Sequence, residues 1–333
     1  MPKPHLYFQG LLDLVSESTG EEVVHIGIRP YGFHAGNALT FVAYPYLLCK
    51  YLEKSGKEPK IQFIISINDW EQDALDGPDP RTYPFNIYPK NTSLQFTEDE
   101  QGCCSSVVEH WQPVIERSQK WIQERFPAIS FRYVRNSELL QEPHCQRLLR
   151  ETIREPKRLL DIFKTHSSFP TMEEPLTYGG VICPNCRRAH GTSTVIGETD
   201  LAWNCRTCAL QTQRSMQEFQ YWWYHKPLLL ARMELFKIDI TLSGGDHFSE
   251  GDFQIRQALI QEYSPQTKEP KMLFAPTLLA LNGQKMSKSR NNTAYAHIER
   301  LIHAVDGMNE KEFLLTPEHL LPHVDETNYR HLL

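Results

Sequence analysis

The stretch EVVHIGIRPYGFHAGN, residues 22–37, decides how the rest of the chain is read. Residues 22–28 are rich in β-branched side chains, as in a short buried strand. They run into a turn marked by Pro30 and Gly32. From Asn37 to about residue 54, Leu39, Val42, Leu47 and Tyr51 recur as one face of a helix. Residues 61–67 (IQFIISI) are a continuous apolar run, the pattern of a strand covered on both faces. Strand, helix and strand in that order make a βαβ unit and predict a parallel sheet.

Working outward, residues 68–104 are polar and rich in Pro, Asp and Asn, a long irregular connection of the kind that carries function. Helical patterning returns at 105–125. A strand is predicted at 130–134, and helix over 137–165 with a break near Pro143. An aromatic-rich helix is predicted over 214–235, a strand over 236–242, a helix over 248–263 and a strand over 277–281. The expected class is α/β, a parallel sheet with a helical insertion. Residues Leu6-Tyr7-Phe8-Gln9-Gly10 match the end of a protease-cleavage tag, and no reading is rested on them.

The chain has 333 residues, 40% of them hydrophobic, enough for one large domain with an insertion or for two domains. Mean hydropathy is −0.47. No apolar run reaches the ~20 residues of a membrane span, and no basic-then-apolar leader opens the chain. The reading is a cytoplasmic protein without a membrane partner. The net charge of −6 gives no global basic surface for nucleic acid, although docking one nucleic-acid end needs only a local patch. Of eight cysteines, four form two CxxC pairs, Cys183/Cys186 and Cys205/Cys208, with residues 187–204 between them. In a chain without an export signal this spacing predicts one tetrahedral Zn²⁺ on four thiolates, a closed structural site, with His190 as a bystander. Cys49, Cys103, Cys104 and Cys145 read as buried or incidental thiols.

Two motifs carry the chemistry. His34-Ala35-Gly36-Asn37 sits where the first strand passes into its helix. A helix start offers unpaired N–H groups and a positive dipole end, which suit phosphate. His34 and Asn37 add donors, and Gly36, lacking a Cβ, lets a flat base approach. Far downstream, Lys285-Met286-Ser287-Lys288-Ser289 follows Asn282-Gly283-Gln284. Two lysines on a Gly-containing loop can neutralise the charge that builds on a leaving pyrophosphate.

These two signatures, in this order, resemble the class I aminoacyl-tRNA synthetases, in which both bind ATP around a Rossmann-type sheet. Gly244-Gly245-Asp246-His247 is similar to a third element of that class. The resemblance implies glycines that make room for adenosine, an Asp246 that accepts from ribose hydroxyls, and His247 beside it. It narrows to the lysyl-type class I enzymes over about residues 22–292, through GGDHFSEGDF (244–253), CCSSVVEHW (103–111) and SINDWEQDALDG (66–77). It implies catalytic roles for His34, Asn37, Lys285 and Lys288. It also implies an ATP site of His34, Gly36, Asn37, Gly244, Asp246, His247, Lys285, Met286, Ser287 and Lys288, with ATP and Mg²⁺ as cofactors. Trp223, in Tyr221–His225, is a candidate for the amino-acid pocket, and Arg232 matches an arginine of the family's Trp-x-x-Arg-Trp stretch. Glu109 and His110 are candidates for substrate contact or for a solvated helix face.

The chain departs from the lysyl type in three ways. Only residues 290–333 follow the KMSKS string, where full enzymes carry a domain that reads the anticodon. The turn before His34 is Pro-Tyr-Gly-Phe, not Pro-Ser-Gly with two further residues. His25 and Thr241 stand where carboxylates for a lysine ammonium are expected, and burying an ammonium without a carboxylate is costly. The expected organisation is a first catalytic half at 20–177, a zinc ribbon at 178–212, a second half at 213–300 and a helical tail at 301–333. The expected activity is formation of an aminoacyl-adenylate from amino acid and ATP by a stand-alone lysyl-type enzyme, with transfer to the acceptor end of a tRNA or tRNA-like molecule. The alternative is a tRNA-independent ligase that joins the acyl group to an amine of a small molecule or peptide. A binding paralogue without activity is a third class, against which the intact lysine loop argues.

Overall fold

Six strands lie parallel in one sheet, and their order sets where a ligand can bind. The structure, a computed structural model, describes residues 4–30, 39–69, 93–99, 102–139, 141–166, 181–188, 191–221, 225–249 and 251–275. In chain order the first elements are β1 (His5–Leu6), α1 (Tyr7–Glu17), β2 (Val23–Ile28), α2 (Tyr44–Lys54), β3 (Gln62–Ile67), α3 (Val107–Arg125) and β4 (Ser130–Arg135). Then come α4 (Asn136–Leu139), α5 (Pro143–Arg154), α6 (Pro156–His166) and the short strand β5 (Val181–Ile182). Strands β6 (Gly191–Ile196), β7 (Asp200–Cys205), β8 (Gln211–Ser215) and β9 (Gln220–Tyr221) follow. The chain continues with α7 (His225–Phe236), β10 (Ile240–Gly244), α8 (Gly245–Ser249), α9 (Asp252–Tyr263) and β11 (Lys271–Ala275).

Across the sheet the order is β4-β3-β2-β10-β11-β1, every pair parallel. From β2 the sheet grows one way through β3 and β4 and the other way through β10 and β11. The point of reversal lies between β2 and β10, where open α/β sheets leave a crevice at the carboxyl ends of their strands. Helices cover both faces, as the apolar runs of β2 and β3 require. Phe63, Ile65 and Ile67 of β3 pack with Leu11 and Leu14 of α1, with α2 and with α3, while Ile64 points the other way, into a core shared with α5, α6, α7 and α9. Ahead of α2, Leu39–Ala43 form a buried π turn. Pro45 has no N–H for the carbonyl four residues back and its ring crowds that carbonyl, which fits the widened winding there.

The predicted strands at 22–28, 61–67 and 130–134 and the helix at 105–125 are present as β2, β3, β4 and α3. The helical stretch over 137–165 is three helices, α5 beginning at Pro143 itself. Three expectations differ. The helix over 214–235 begins only at His225; before it the chain is β8, a 3-10 turn and β9. The strand at 236–242 starts later, at Ile240. The tag-like residues are built into the fold: Leu6 pairs with Phe274, and Leu11 and Leu14 just beyond are fully buried. The strand expected at 277–281 lies outside the described residues, and β11 ends just before it. No described helix is long and apolar enough to cross a membrane.

Candidate functional site

The two strands that carry the sequence motifs are neighbours at the point of reversal. β2 and β10 pair with Val24 opposite Ile240 and His25 opposite Thr241. Beyond the carboxyl end of β2 the chain leads toward His34, Gly36 and Asn37, and beyond that of β10 it reads Gly244-Gly245-Asp246-His247. Gly244 ends β10 half-buried, Gly245 is buried, Asp246 lies in α8, and His247 is exposed. His34, Gly36, Asn37, Trp223, Lys285, Met286, Ser287 and Lys288 lie outside the described residues.

Beneath the crevice, on the sheet face covered by α7, lies a buried polar group that the sequence reading names only in part. His25 and Thr241, in register, share that face with Ile64 and Ser66 of β3. His25 Nε2 is 2.9 Å from Ser66 Oγ and 3.5 Å from an Nη of Arg232 on α7. A guanidinium only donates, so Nε2 accepts and the ring proton sits on Nδ1. That Nδ1 has no partner among the described residues. Burial first, and then the Arg232 and Arg256 charges, hold the His25 pKa well below its usual value, so the ring is neutral. Arg232 donates to Asn136 Oδ1 at 2.6 Å, and Asn136 Nδ2 donates to Asn68 Oδ1 at 2.9 Å. Burial brings the Arg232 guanidinium down to about 10. Asp69, past the end of β3, accepts from the backbone N–H of Ser137 at 3.0 Å and from its hydroxyl. Burial outweighs those bonds and raises the Asp69 carboxyl to about 6.

The four cysteines converge at one end of the antiparallel meander β6-β7-β8, while β5 and β9 pair where the chain enters and leaves. Their sulfurs all lie within 4.8 Å of one another. Cys183 is 3.7 Å from Cys208 and Cys186 is 3.6 Å from Cys205, close to the ~3.8 Å edge of a tetrahedron with Zn–S bonds of about 2.3 Å. The two CxxC turns are built alike. The first cysteine's N–H donates to a carbonyl five residues on, Cys183 to Arg188 at 3.0 Å and Cys205 to Leu210 at 2.9 Å. The residue after the second cysteine takes positive φ, 62° at Arg187 and 56° at Ala209. A hydrogen bond from Asn185 draws the Cys208 thiol down to about 6, while burial pushes the Cys186 thiol up to about 12 and raises that of Cys205. The donor set and spacing fit zinc.

A parallel α/β sheet with motif-bearing strands on either side of its reversal defines a Rossmann-like nucleotide-binding class. The chain belongs to the family of class I tRNA synthetases (K), which it matches over residues 11–303. A lysine–tRNA ligase of Thermococcus kodakarensis is 26% identical over 290 residues, 82% of this chain and 51% of that protein, so the chain spans about half the length of that relative. Two solved structures align more loosely. A tyrosyl-tRNA synthetase of Archaeoglobus fulgidus, complexed with L-tyrosine, has a TM-score of 0.40 at 16% identity, over 86% of this chain and 64% of that one. A tyrosyl-tRNA synthetase of Aeropyrum pernix has 0.42 at 15% identity, over 86% and 61%.

Proposed function

We propose that this chain activates an amino acid. The carboxylate attacks the α-phosphorus of ATP in line, the bond to the bridging oxygen breaks, and aminoacyl-adenylate and pyrophosphate result. The acyl group then passes to a hydroxyl at the acceptor end of a tRNA or tRNA-like molecule, releasing AMP. The observation that carries this reading is the adjacency of β2 and β10: HAGN follows one carboxyl end and GGDH the other, in a chain that belongs to the class I synthetases. The reaction asks for positioning and charge stabilisation more than for covalent chemistry. His34 and Asn37 would donate to phosphate, Gly36 and Gly244 would admit the nucleoside, and Asp246 and His247 would stand at the ribose side. Lys285 and Lys288, on the loop with Met286 and Ser287, would meet the charge on the departing pyrophosphate. Mg²⁺ would accompany the triphosphate, and Zn²⁺ on Cys183, Cys186, Cys205 and Cys208 would hold the ribbon. The catalytic region would comprise 20–177 and 213–300, split by the ribbon at 178–212 and followed by a tail at 301–333.

The buried network argues against lysine as the amino acid. An ammonium brought to His25 would meet a neutral imidazole backed by the Arg232 guanidinium, which supply no negative charge. A neutral or acidic side chain fits that lining better, with Trp223 and Arg232 as further candidates for the pocket.

ATP–pyrophosphate exchange over all proteinogenic amino acids, with and without total tRNA, tests the reading. One amino acid other than lysine is expected to support exchange. Lys285→Ala should lower it on the order of 10²-fold without loss of helix content by circular dichroism. Exchange with none of them overturns the activity; exchange with lysine alone overturns the substrate assignment.

A further inference from the structure

The central strand of the sheet carries a gap on the face that holds the buried polar group. Gly27 follows His25 by two residues, so both lie on the face covered by α7, with Gly27 nearer the carboxyl end of β2. His25 is buried and Gly27 exposed, although β2 has β3 on one side and β10 on the other. A Cβ built on Gly27 would meet, among the described residues, only His25 Cε1, at 4.0 Å. A hollow therefore runs from solvent above Gly27 down to the His25 ring, beside the reversal of the sheet. Glycine inside a strand marks the close approach of something else, and a larger residue at 27 would fill this space.

The polar atoms left over around that floor are mostly donors. Nδ1, bonded to Cε1 in the ring, carries the His25 proton and has no partner among the described residues. Arg232 Nε and Arg256 Nη1 are also buried without a partner, as is Thr241 Oγ1, whose residue stands in register with His25. Arg256 reaches the group from α9, close enough that its charge, with that of Arg232, disfavours a proton on the His25 ring. The acceptors beside them are engaged: Asn136 Oδ1 by Arg232, Asn68 Oδ1 by Asn136, and Asp252 Oδ2 by Arg256 Nε at 2.6 Å. Buried donors without acceptors cost free energy, which a bound accepting group would recover.

Charge decides between a neutral acceptor and an anion. Arg256 is paired with Asp252, whereas Arg232 has the neutral Asn136 amide and the imidazole as its neighbours. Asp69 acts on Arg232 from beyond ion-pair distance and is itself bound by Ser137. A guanidinium buried without a contacting carboxylate is costly; an incoming carboxylate supplies that charge and an amide does not. We propose that the hollow over Gly27, with His25 Nδ1–H at its floor, receives the side chain of the amino acid and selects one that ends in a carboxylate. This rests on the reading of the crevice as the place of amino-acid activation, and it narrows the substrate to the acidic amino acids.

Calorimetric titration of the whole chain with aspartate, glutamate, asparagine, glutamine and lysine, with and without an α,β-methylene analogue of ATP, tests the pocket apart from the reaction. One of the two acids should bind, about 10-fold or more tighter than its own amide, with no heat from lysine. Gly27→Val fills open space with a residue that suits a strand, so its urea midpoint should stay at or above the parent's while binding is lost. Arg232→Gln should remove the preference for acid over amide. Tighter binding of an amide or of lysine, or binding of neither acid, overturns the proposal. So does a Gly27→Val protein that binds like the parent, or an acid preference that survives Arg232→Gln. ATP–pyrophosphate exchange run beside the titration separates the two failures. An acid that binds without exchange overturns activation and leaves the pocket; exchange with another amino acid overturns the pocket and leaves activation.

Discussion

His25 and Asp69 sit in one polar group yet respond to acid in opposite senses. The native His25 pKa is depressed, so the folded chain binds fewer protons than the unfolded one below about pH 6.5. Its contribution to stability is present above that pH and is lost as pH falls. Asp69 is raised from 3.8 to about 6, so its contribution is fully present below about pH 4 and is lost as pH rises through 6. That loss is about 3 kcal/mol, from 1.36 kcal/mol per unit. Between pH 4 and 6 the two partly cancel. Asp69→Asn should steepen the loss of stability on acidification through that window, and His25→Gln should reverse its sign, both read by urea unfolding across a pH series. Variants that track the parent would refute the linkage. The sequence singles out His25 and Arg232 but not Asn136, which joins Arg232 to Asn68, because that bridge exists only once β4 lies beside β3 and α7 covers both. Such a group has no spacing to read: its members come from four separate elements.

At the scale of elements, the legible pieces are those whose own side chains settle the matter. β2 and β3 are apolar runs buried on both faces, and α3 has its serine cap and apolar stripe. The segment before α7 misleads because Met216 and Phe219, both buried, recur at helical spacing, whereas the backbone on either side of them is claimed by strands: β8 by β7, and β9 by Val181 and Ile182, with a 3-10 turn at Met216–Glu218 between. The cysteine ribbon was legible in its ligand spacing but not in its tolerance. Gly191 pairs with Cys205, and a Cβ there would stand 2.2 Å from the Asn204 carbonyl oxygen and 2.5 Å from the Trp203 ring. Backbone and a buried indole cannot both move aside, so Gly191→Ala should destabilise the ribbon by ~1–3 kcal/mol and weaken retention of the proposed zinc against a chelator. Removing the proposed zinc with a chelator should expose the amides of β6, β7 and β8 to hydrogen exchange while those of β2, β3 and β10 stay protected. Equal loss in both sheets would mean that the ribbon is not a separate cooperative unit.

For the molecule as a whole, the parallel sheet was legible from one βαβ unit, while its reversal between β2 and β10 and its outer edge were not. β1 is only His5–Leu6, too short to signal itself, and it becomes a strand because β11 offers it a partner. Deleting residues 1–17 would strip Leu11, Leu14 and Val15 from the core and bare the edge of β11. At ~1.5–3 kcal/mol per large apolar side chain, the loss approaches the whole stability of an ordinary domain, and the truncated chain is expected to be insoluble or to melt far below the parent. The same edge has a kinetic side. Leu6 waits for Phe274, which is synthesised long after it, so β1 is among the last strands to find its place. Until then the apolar stripe of α1 has no sheet edge to settle on, and closing that contact means drawing together residues 6 and 274. During synthesis the β1–α1 segment is thus the piece most exposed to chaperones and to mispairing with another nascent chain, and pulse-labelling should find β1 and β11 protected together, late.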